Sequence, residues 1–438
     1  MSGRRTPPTA LAIAESILGS PRFSAVLTTV SVGTAVFSYS IRQMMGWAGL
    51  TAILGALVVL TMLSLASQWS NIGWRALVPI SLLTFVVWTG LSLLWSQNQW
   101  LSLAGLTHFA AFTVLAIYVA LVRDTIQVVR AFGDVFRAVL VISIGLEILS
   151  GVLIDAPIRF LGITGRLDVL GPIEGIVGSR NQLGVIIVIA LITFATEART
   201  QSVSRGTATW SLLLGSLMLL LTQSPVALGM AVGVAAATGV LFLLRRVPSG
   251  KRRYWQLATL AFAVAVAVAA WAARGPVISG LNGGGELDYR LRVWRQVWDL
   301  VTFHNIEGWG WVGSWPREIL PYSAVIGSGG RVPHSASNGF LDVWFQLGLV
   351  GLAIFVGFLG LAFVRSWLLA SRRRSIVFAW PALVLLALIL SGLAESLFLV
   401  EFGWLTIVVC SVKAARELSW RTAFDAAKRE PLPLPHNS

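Results

Sequence analysis

The sequence predicts an all-α polytopic membrane protein, and three observations predict it. Only 12% of the 438 residues are charged, about half the share usual in soluble domains. Apolar runs recur at roughly the 20 residues that a helix needs to cross a bilayer core. The mean hydropathy of +0.78 leaves too little polar sequence to cover a water-soluble particle.

The apolar runs give about twelve transmembrane helices in order. The first nine, at about 24–40, 46–67, 77–95, 99–122, 136–154, 181–197, 208–223, 225–244 and 255–273, fill residues 24–273. The seventh and eighth meet at "TQSP", where Pro225 suits the first turn of a new helix. Residues 274–338 form the longest polar stretch, and three more helices follow at about 339–364, 377–394 and 397–412. The stretch at 1–23 lacks the apolar core and cleavage site of a signal peptide and reads as a cytosolic tail, as does 413–438.

Orientation follows from the basic residues. With the N-terminus inside, "RDTIQVVRAFGDVFR", "RRVPSGKRR", "RSWLLASRRR" and the C-terminal tail all fall on the cytosolic side, as short basic loops do. The net charge of +14 therefore reports topology, and nucleic acid is excluded as a partner. The single cysteine, Cys410, has no partner for an internal disulfide. Both termini come out cytosolic, with outer loops at about 155–180 and 274–338, the latter between the ninth and tenth helices.

Charged groups near hydrocarbon cost about 2.5–3.5 kcal/mol each at a helix centre, so their placement is informative. In this topology Glu147, Arg180, Asp342, Glu395, Glu401 and His108 all fall towards the outer face, and no comparable group lies in an inner half. A transporter would concentrate such groups near the midplane, with broken helices in matching halves. An enzyme acting on lipid-anchored substrates would gather them at one face, and that is the pattern read here.

Within the long loop, "ELDYRLRVWRQVWDLV" spaces Leu291, Trp294, Trp298 and Val301 as one face of an amphipathic surface helix. It carries Arg290, Arg292 and Arg295, and Arg180 and Asn181 open the sixth span in "GSRNQLG". Arginine suits a diphosphate because its planar fork stays charged and bonds in pairs; for Arg292 and Arg295, contact with lipid headgroups is the other reading. Trp309, Trp311 and Trp315 offer either sugar platforms or an interfacial belt. In "VPHSASNGFLDVWFQLGLVG", Asn338 is a good N-cap and Asp342 sits near the positive helix end. An outward helix start of this kind is an anion site, or a simply well-capped terminus. Gly348 and Gly351 give a small face for close helix packing.

"YRLRVWRQVWDLVTFHNIEGWGWVGSW" followed by "HSASNGFLDVWFQLGLVGL" resembles the O-antigen ligase and polysaccharide polymerase family, most of all its exopolysaccharide-polymerase-like branch. Arg290, Trp294, Gly308, Gly310, Asn338, Gly348 and Gly351 carry the likeness, with "GSRNQLG" beside them. The resemblance implies a metal-independent, cofactor-free glycosyltransferase of the cytoplasmic (inner) membrane, acting in cell-envelope polysaccharide biosynthesis. It would use a polyprenyl-diphosphate-linked oligosaccharide such as an undecaprenyl diphosphate donor, a glycan acceptor on the outer face, and other polysaccharide-assembly proteins as partners. Arginines would hold the diphosphate, and a loop histidine would act as base.

The chain departs from that family twice. Ser337 stands where the family histidine is expected, and His334 lies four residues before Asn338. A histidine can accept a hydroxyl proton near neutral pH, so His334 is the expected base, with Asp342 or Glu395 as alternatives. "TQSPVALG" lacks an arginine that relatives carry, and Arg180 or Arg317 is expected to cover for it. The expected site is thus His334 and Asp342 for catalysis, with Arg180, Asn181, Arg290, Arg292, Trp294, Ser337 and Asn338 binding substrate. Polymerase is preferred to ligase; a transporter or flippase and a non-catalytic scaffold are the rivals.

Overall fold

The computed structural model describes residues 16–69, 78–248, 250–251, 254–259, 261, 286–327 and 333–417. Most of the ninth expected span, residues 274–285 and 328–332 of the long loop and most of both tails lie outside them. The described residues form helices and no strand, as expected where every backbone group in hydrocarbon must bond within its own segment.

Helix α1 (Pro21–Ser67) starts at the Ser20 cap, whose side chain accepts from Phe23 N at 3.2 Å, with Pro21 in the first turn. A straight helix of 47 residues would run about 70 Å, more than twice a bilayer core. It does not run straight: Gly46 at φ 69° and ψ −176° breaks it. Ser64 Oγ donates to Leu18 O at 2.9 Å, so the two halves fold back as a hairpin. The first two expected spans are those halves.

Helices α2 (Ile80–Leu91), α3 (Gln99–Val122) and α4 (Thr125–Ile148) follow. The fifth expected span, at 136–154, needs correcting, because α4 begins eleven residues earlier. Gln127 Oε1 accepts from Asp124 N at 3.2 Å, tying down the first turn. "RDTIQVVRAF" therefore contains a helix start with Val128, Val129 and Phe132 buried, although its charges read as loop. Helices α5 (Arg180–Thr200), α6 (Arg205–Thr222) and α7 (Pro225–Arg246) each begin at a serine, and Ser179, Ser204 and Ser224 cap in the same way. Gln223, left-handed at φ 46°, separates α6 from α7 at "TQSP".

Beyond the undescribed stretch come α8 (Glu286–Val301), α9 (Gly339–Arg372), α10 (Ala379–Gly392) and α11 (Glu401–Glu417). Among the described residues, six helices are long and apolar enough to cross a membrane: α1, α3, α4 with its extension to Ile154, α5, α7 and α9. Lipid contact is written on α6 as well. Trp210, Leu213, Leu217 and Leu220 lie on one helical stripe and are each more than half exposed, the reverse of a water-facing surface.

Helix α9 is also broken, at Gly348 (φ 69°, ψ −175°). Its role therefore differs from the small packing face expected of it; Gly351, by contrast, does sit close against the Trp88 indole. Residues 305–310 fill the break. Trp309 N donates to Phe345 O at 3.1 Å and Gly310 N to Gln346 O at 2.9 Å. Leu349 N and Val350 N donate back to Asn305 O and Ile306 O, and Trp88 Nε1 takes Leu347 O at 3.1 Å. Backbone groups freed from the helix are thus paired again, as an apolar setting requires. A Cβ on Gly348 would lie 2.0 Å from Ile306 O, so only glycine fits.

Two cores result. The larger lies among the spans, around Phe85, Phe109, Phe355, Phe358 and Trp404. The smaller joins α8 to the loop and the start of α9 through Val293, Val297, Val301, Trp315, Tyr322 and Phe345.

Gly348→Ala is expected to destabilise the protein by at least about 1–3 kcal/mol from backbone strain alone, and by more because of the clash. Gly360→Ala in the same helix meets nothing within 4 Å and should hold or raise stability. Thermal unfolding of the two variants in detergent, followed by circular dichroism, checks the contrast.

Candidate active site at one end of the bundle

Helix α8 lies on its buried stripe, and that stripe decides which arginine enters the site. The buried residues are Val293, Val297 and Val301; Trp298 is 57% exposed. The stripe expected at Leu291, Trp294, Trp298 and Val301 is therefore rotated by about one position. At three- and four-residue steps, Val293 continues to Arg290 and Glu286. These two polar side chains meet α5 and the α10–α11 connection.

There, Arg180 Nη2 donates to Glu286 Oε1 at 2.7 Å and Arg290 Nη2 to Glu395 Oε1 at 2.8 Å. Asn181 Nδ2 donates to the same Glu395 oxygen at 2.8 Å, and Ser224 Oγ donates to Asn181 Oδ1 at 2.7 Å. Two bonded sets, Arg180–Glu286 and Arg290–Glu395–Asn181–Ser224, thus stand together as one cluster of α5, α8, the cap of α7 and the connection before α11. It contains three expected residues, Arg180, Asn181 and Arg290, together with Glu286, Glu395 and Ser224. Each arginine is held by a carboxylate, so the cluster is less cationic than its arginines alone suggest. One N–H of each fork is engaged by its carboxylate, which leaves further donors.

Arg292 goes elsewhere. Two residues past Arg290, it turns to the far side of α8 and lines an open hollow with Asp288, Leu291 and Arg295.

The stretch before α9 is built from the helix start. Asn338 Oδ1 accepts from Phe340 N at 3.0 Å and Leu341 N at 3.1 Å, the expected N-cap, and Nδ2 donates to Leu393 O at 3.2 Å. Ser337 sits at φ 49°, in the left-handed region. Trp294 Nε1 donates to Ala336 O at 2.9 Å, which makes this tryptophan a strut under the loop. Asp342 is 1% exposed. Its Oδ1 accepts from Trp315 Nε1 at 2.7 Å and Gln346 Nε2 at 2.9 Å. Gln346, one turn on, also binds Val312 N, Gly313 N and Gly313 O. Asp342 and Gln346 together hold the 312–315 segment against α9, facing away from open solvent. Trp311 and Trp315, at 1% and 2% exposure, are likewise interior and offer no face to a sugar. Trp309 is partly buried, its Nε1 on Leu300 O at 3.2 Å.

His334 projects from this scaffold, its carbonyl fixed by Trp315 N at 3.0 Å. Arg317 Nη2 lies 2.7 Å from His334 Nε2. A guanidinium only donates, so Nε2 is the accepting nitrogen and the ring proton sits on Nδ1. Partial burial, then the Arg317 and Arg42 charges, hold the imidazole below its ordinary value of 6.5. The ring is therefore neutral at neutral pH, as a base must be.

The charges felt by His334 thus come from Arg317 and Arg42, whereas Arg180 pairs with Glu286 and Arg290 with Glu395. Arg42 pairs with Glu401, and His108 Nε2 lies 3.7 Å from the same carboxylate. Arg42 went unnoticed in the sequence; its signal was a lone cation between two apolar runs in "YSIRQMMGW". Gln346 also had a signal, a second polar residue one turn after Asp342 in an otherwise apolar helix.

The polar groups are less one-sided than expected. Towards the opposite end, Glu197 is fully buried and ion-paired to Arg137, which also donates to Ser211 Oγ at 3.0 Å. Lys413, 7% exposed, donates to Arg123 O.

Residues 210–356, about a third of the chain, match the family described as O-Antigen ligase. The match takes in α8, the loop and the broken start of α9, and it bears out the likeness to the O-antigen ligase and polysaccharide polymerase family. No curated protein matches the chain.

Asp342→Ala leaves Trp315 Nε1 without an acceptor and Gln346 Nε2 with Gly313 O alone, at a cost of about 1–3 kcal/mol for the stranded indole N–H. Asp342→Asn keeps one oxygen and is expected to cost less. Thermal unfolding orders the two variants, and protease cleavage within 310–338 should rise in the same order.

Proposed function

We propose that the chain is an integral-membrane glycosyltransferase that moves an oligosaccharide from a polyprenyl diphosphate to an acceptor glycan at the outer face of the cytoplasmic membrane, acting as a polymerase. The observation that carries this reading is the gathering at one bundle end of the Arg180–Glu286 pair, the Arg290–Glu395–Asn181 set and a neutral, solvent-reachable His334. The match to the O-Antigen ligase family supports it.

In this reading His334 takes the proton from the acceptor hydroxyl. The freed oxygen attacks the anomeric carbon, and the bond from that carbon to the diphosphate oxygen breaks. The diphosphate departs with its charge held by Arg180 and Arg290, whose carboxylate partners keep each fork aimed while the other N–H groups bind phosphate. Arg317, which has no ion pair among the described residues, supplies the cation that "TQSPVALG" lacks. Arg292, on the other face of α8, meets the headgroup region of the bilayer. A ligase would share this donor chemistry and differ only in acceptor.

Broken helices are also a transporter feature, but the two breaks here do not favour that reading. The groups freed at Gly348 are filled by residues 305–310 and Trp88, and the break at Gly46 is the turn of a hairpin. At the Gly348 break, the freed backbone is already paired within the protein and offers no ready ion site.

His334→Ala is expected to lower transfer by about 10²–10⁴-fold, read as loss of long glycan on gels from complemented cells. Arg290→Lys, which loses the fork, should weaken binding of farnesyl diphosphate by about 10-fold or more. The pH profile carries a sign. A base must be neutral, so activity falls as pH drops through the His334 value, which lies below 6.5. Arg317→Gln removes a cation and raises that value, so the acid limb of the profile should move to higher pH.

A further inference from the structure

A second polar cluster takes no part in the donor chemistry above. Arg42 from α1, His108 from α3 and Glu401 at the start of α11 meet at the same bundle end, with side chains 13–21% exposed. Three separate helices bring them together, so the meeting is a property of the fold.

The cluster has bonding capacity to spare. Arg42 spends one N–H on Glu401, and a guanidinium has five. His108 makes no hydrogen bond to a described residue; its nearest ionic partner is Glu401 at 3.7 Å. Glu401 holds a left-handed conformation at φ 46°, a strain that side chains rarely adopt without cause. Trp47 forms the rim. It is 57% exposed, its edge meets His108 with ring centroids 5.7 Å apart, and the Arg42 guanidinium lies 4.8 Å from its centroid. Paired donors, a carboxylate acceptor and an exposed indole are the groups that bind vicinal hydroxyls and the apolar face of a sugar ring.

Position points the same way. Glu395 lies on the short connection before α11 and Glu401 opens that helix; the first holds Arg290 and Asn181, and the second holds Arg42 with His108 3.7 Å away. Six residues of chain reach at most about 20 Å, the length of a few sugar rings. The Arg42 charge also reaches His334.

We propose that Arg42, His108 and Glu401, rimmed by Trp47, form the subsite that holds the acceptor oligosaccharide, with its reactive hydroxyl turned to His334. The proposal rests on the glycan-transfer reading and assigns the acceptor side of it.

The test uses the full chain in nanodiscs and two probes: oligosaccharide released by mild acid from the glycan of the expressing cells, and farnesyl diphosphate. Calorimetry gives both affinities. Arg42→Gln, His108→Gln and Trp47→Ala are expected to weaken the oligosaccharide about 10-fold or more and leave farnesyl diphosphate unchanged. His108→Gln and Trp47→Ala leave the Arg42–Glu401 bond in place, so they report even if Arg42→Gln fails to fold. Unchanged oligosaccharide affinity in those two, absence of oligosaccharide binding by the unsubstituted protein, or loss of farnesyl diphosphate instead, each overturns the proposal. Arg290→Ala, measured beside them, reports on the donor reading alone through farnesyl diphosphate.

Discussion

The structure depends on how the break in α9 at Gly348 is repaired. A helix cut open in an apolar setting exposes carbonyl and amide groups that have no water to turn to. Residues 305–310 enter the gap and bond in both directions, with Trp309 and Gly310 donating and Asn305 and Ile306 accepting. Glycine is needed on both sides of this contact, since a Cβ on Gly308 would lie 2.4 Å from Gly348 N. The loop is thereby tied to the helix through main chain rather than through surface side chains. Everything after it in space follows: the Asp342–Gln346 pair grips 312–315, Trp315 fixes His334, and Asn338 caps the helix over Leu393.

On the other side, the connection between α10 and α11 organises the charges. Glu395 and Glu401 each hold a cation from a distant helix and a neutral or titratable partner beside it. Carboxylates so close to the arginines reduce the net positive charge, yet they fix each guanidinium in one orientation. For the diphosphate site proposed above, fixed direction is worth more than excess charge. The half-buried setting also shields these pairs from salt.

The opposite end of the bundle shows the same device put to a plainer use. Glu197, fully buried, draws Arg137 from α4 towards α5 and α6, and Gly133 leaves room for it, since a Cβ there would lie 2.4 Å from Glu197 Oε1. Lys413 and Arg416 donate to main-chain carbonyls at the end of α3. These bonds close the bundle where helices end and carbonyls would otherwise be orphaned.

Apolar length alone determined the all-helical class, because crossing a bilayer needs a run that one strand of text displays. Caps were equally legible: Asn338 and Pro225 act where their chemistry placed them, since capping is a contact over two or three residues. The motif residues Arg290, Gly308 and Gly310 also stood out, but their purposes did not. That α8 lies on Val293, Val297 and Val301, with Arg290 inward and Arg292 outward, depended on which face the loop core covers. That Gly348 breaks a helix, and that Trp311, Trp315 and Asp342 are interior, depended on a loop arriving from forty residues away. The partnerships of Arg42 with Glu401 and Asn181 with Glu395 join residues hundreds of positions apart. Only tertiary structure decides such contacts, because charge and size in the sequence say what a side chain can bond, and packing says which neighbour is there.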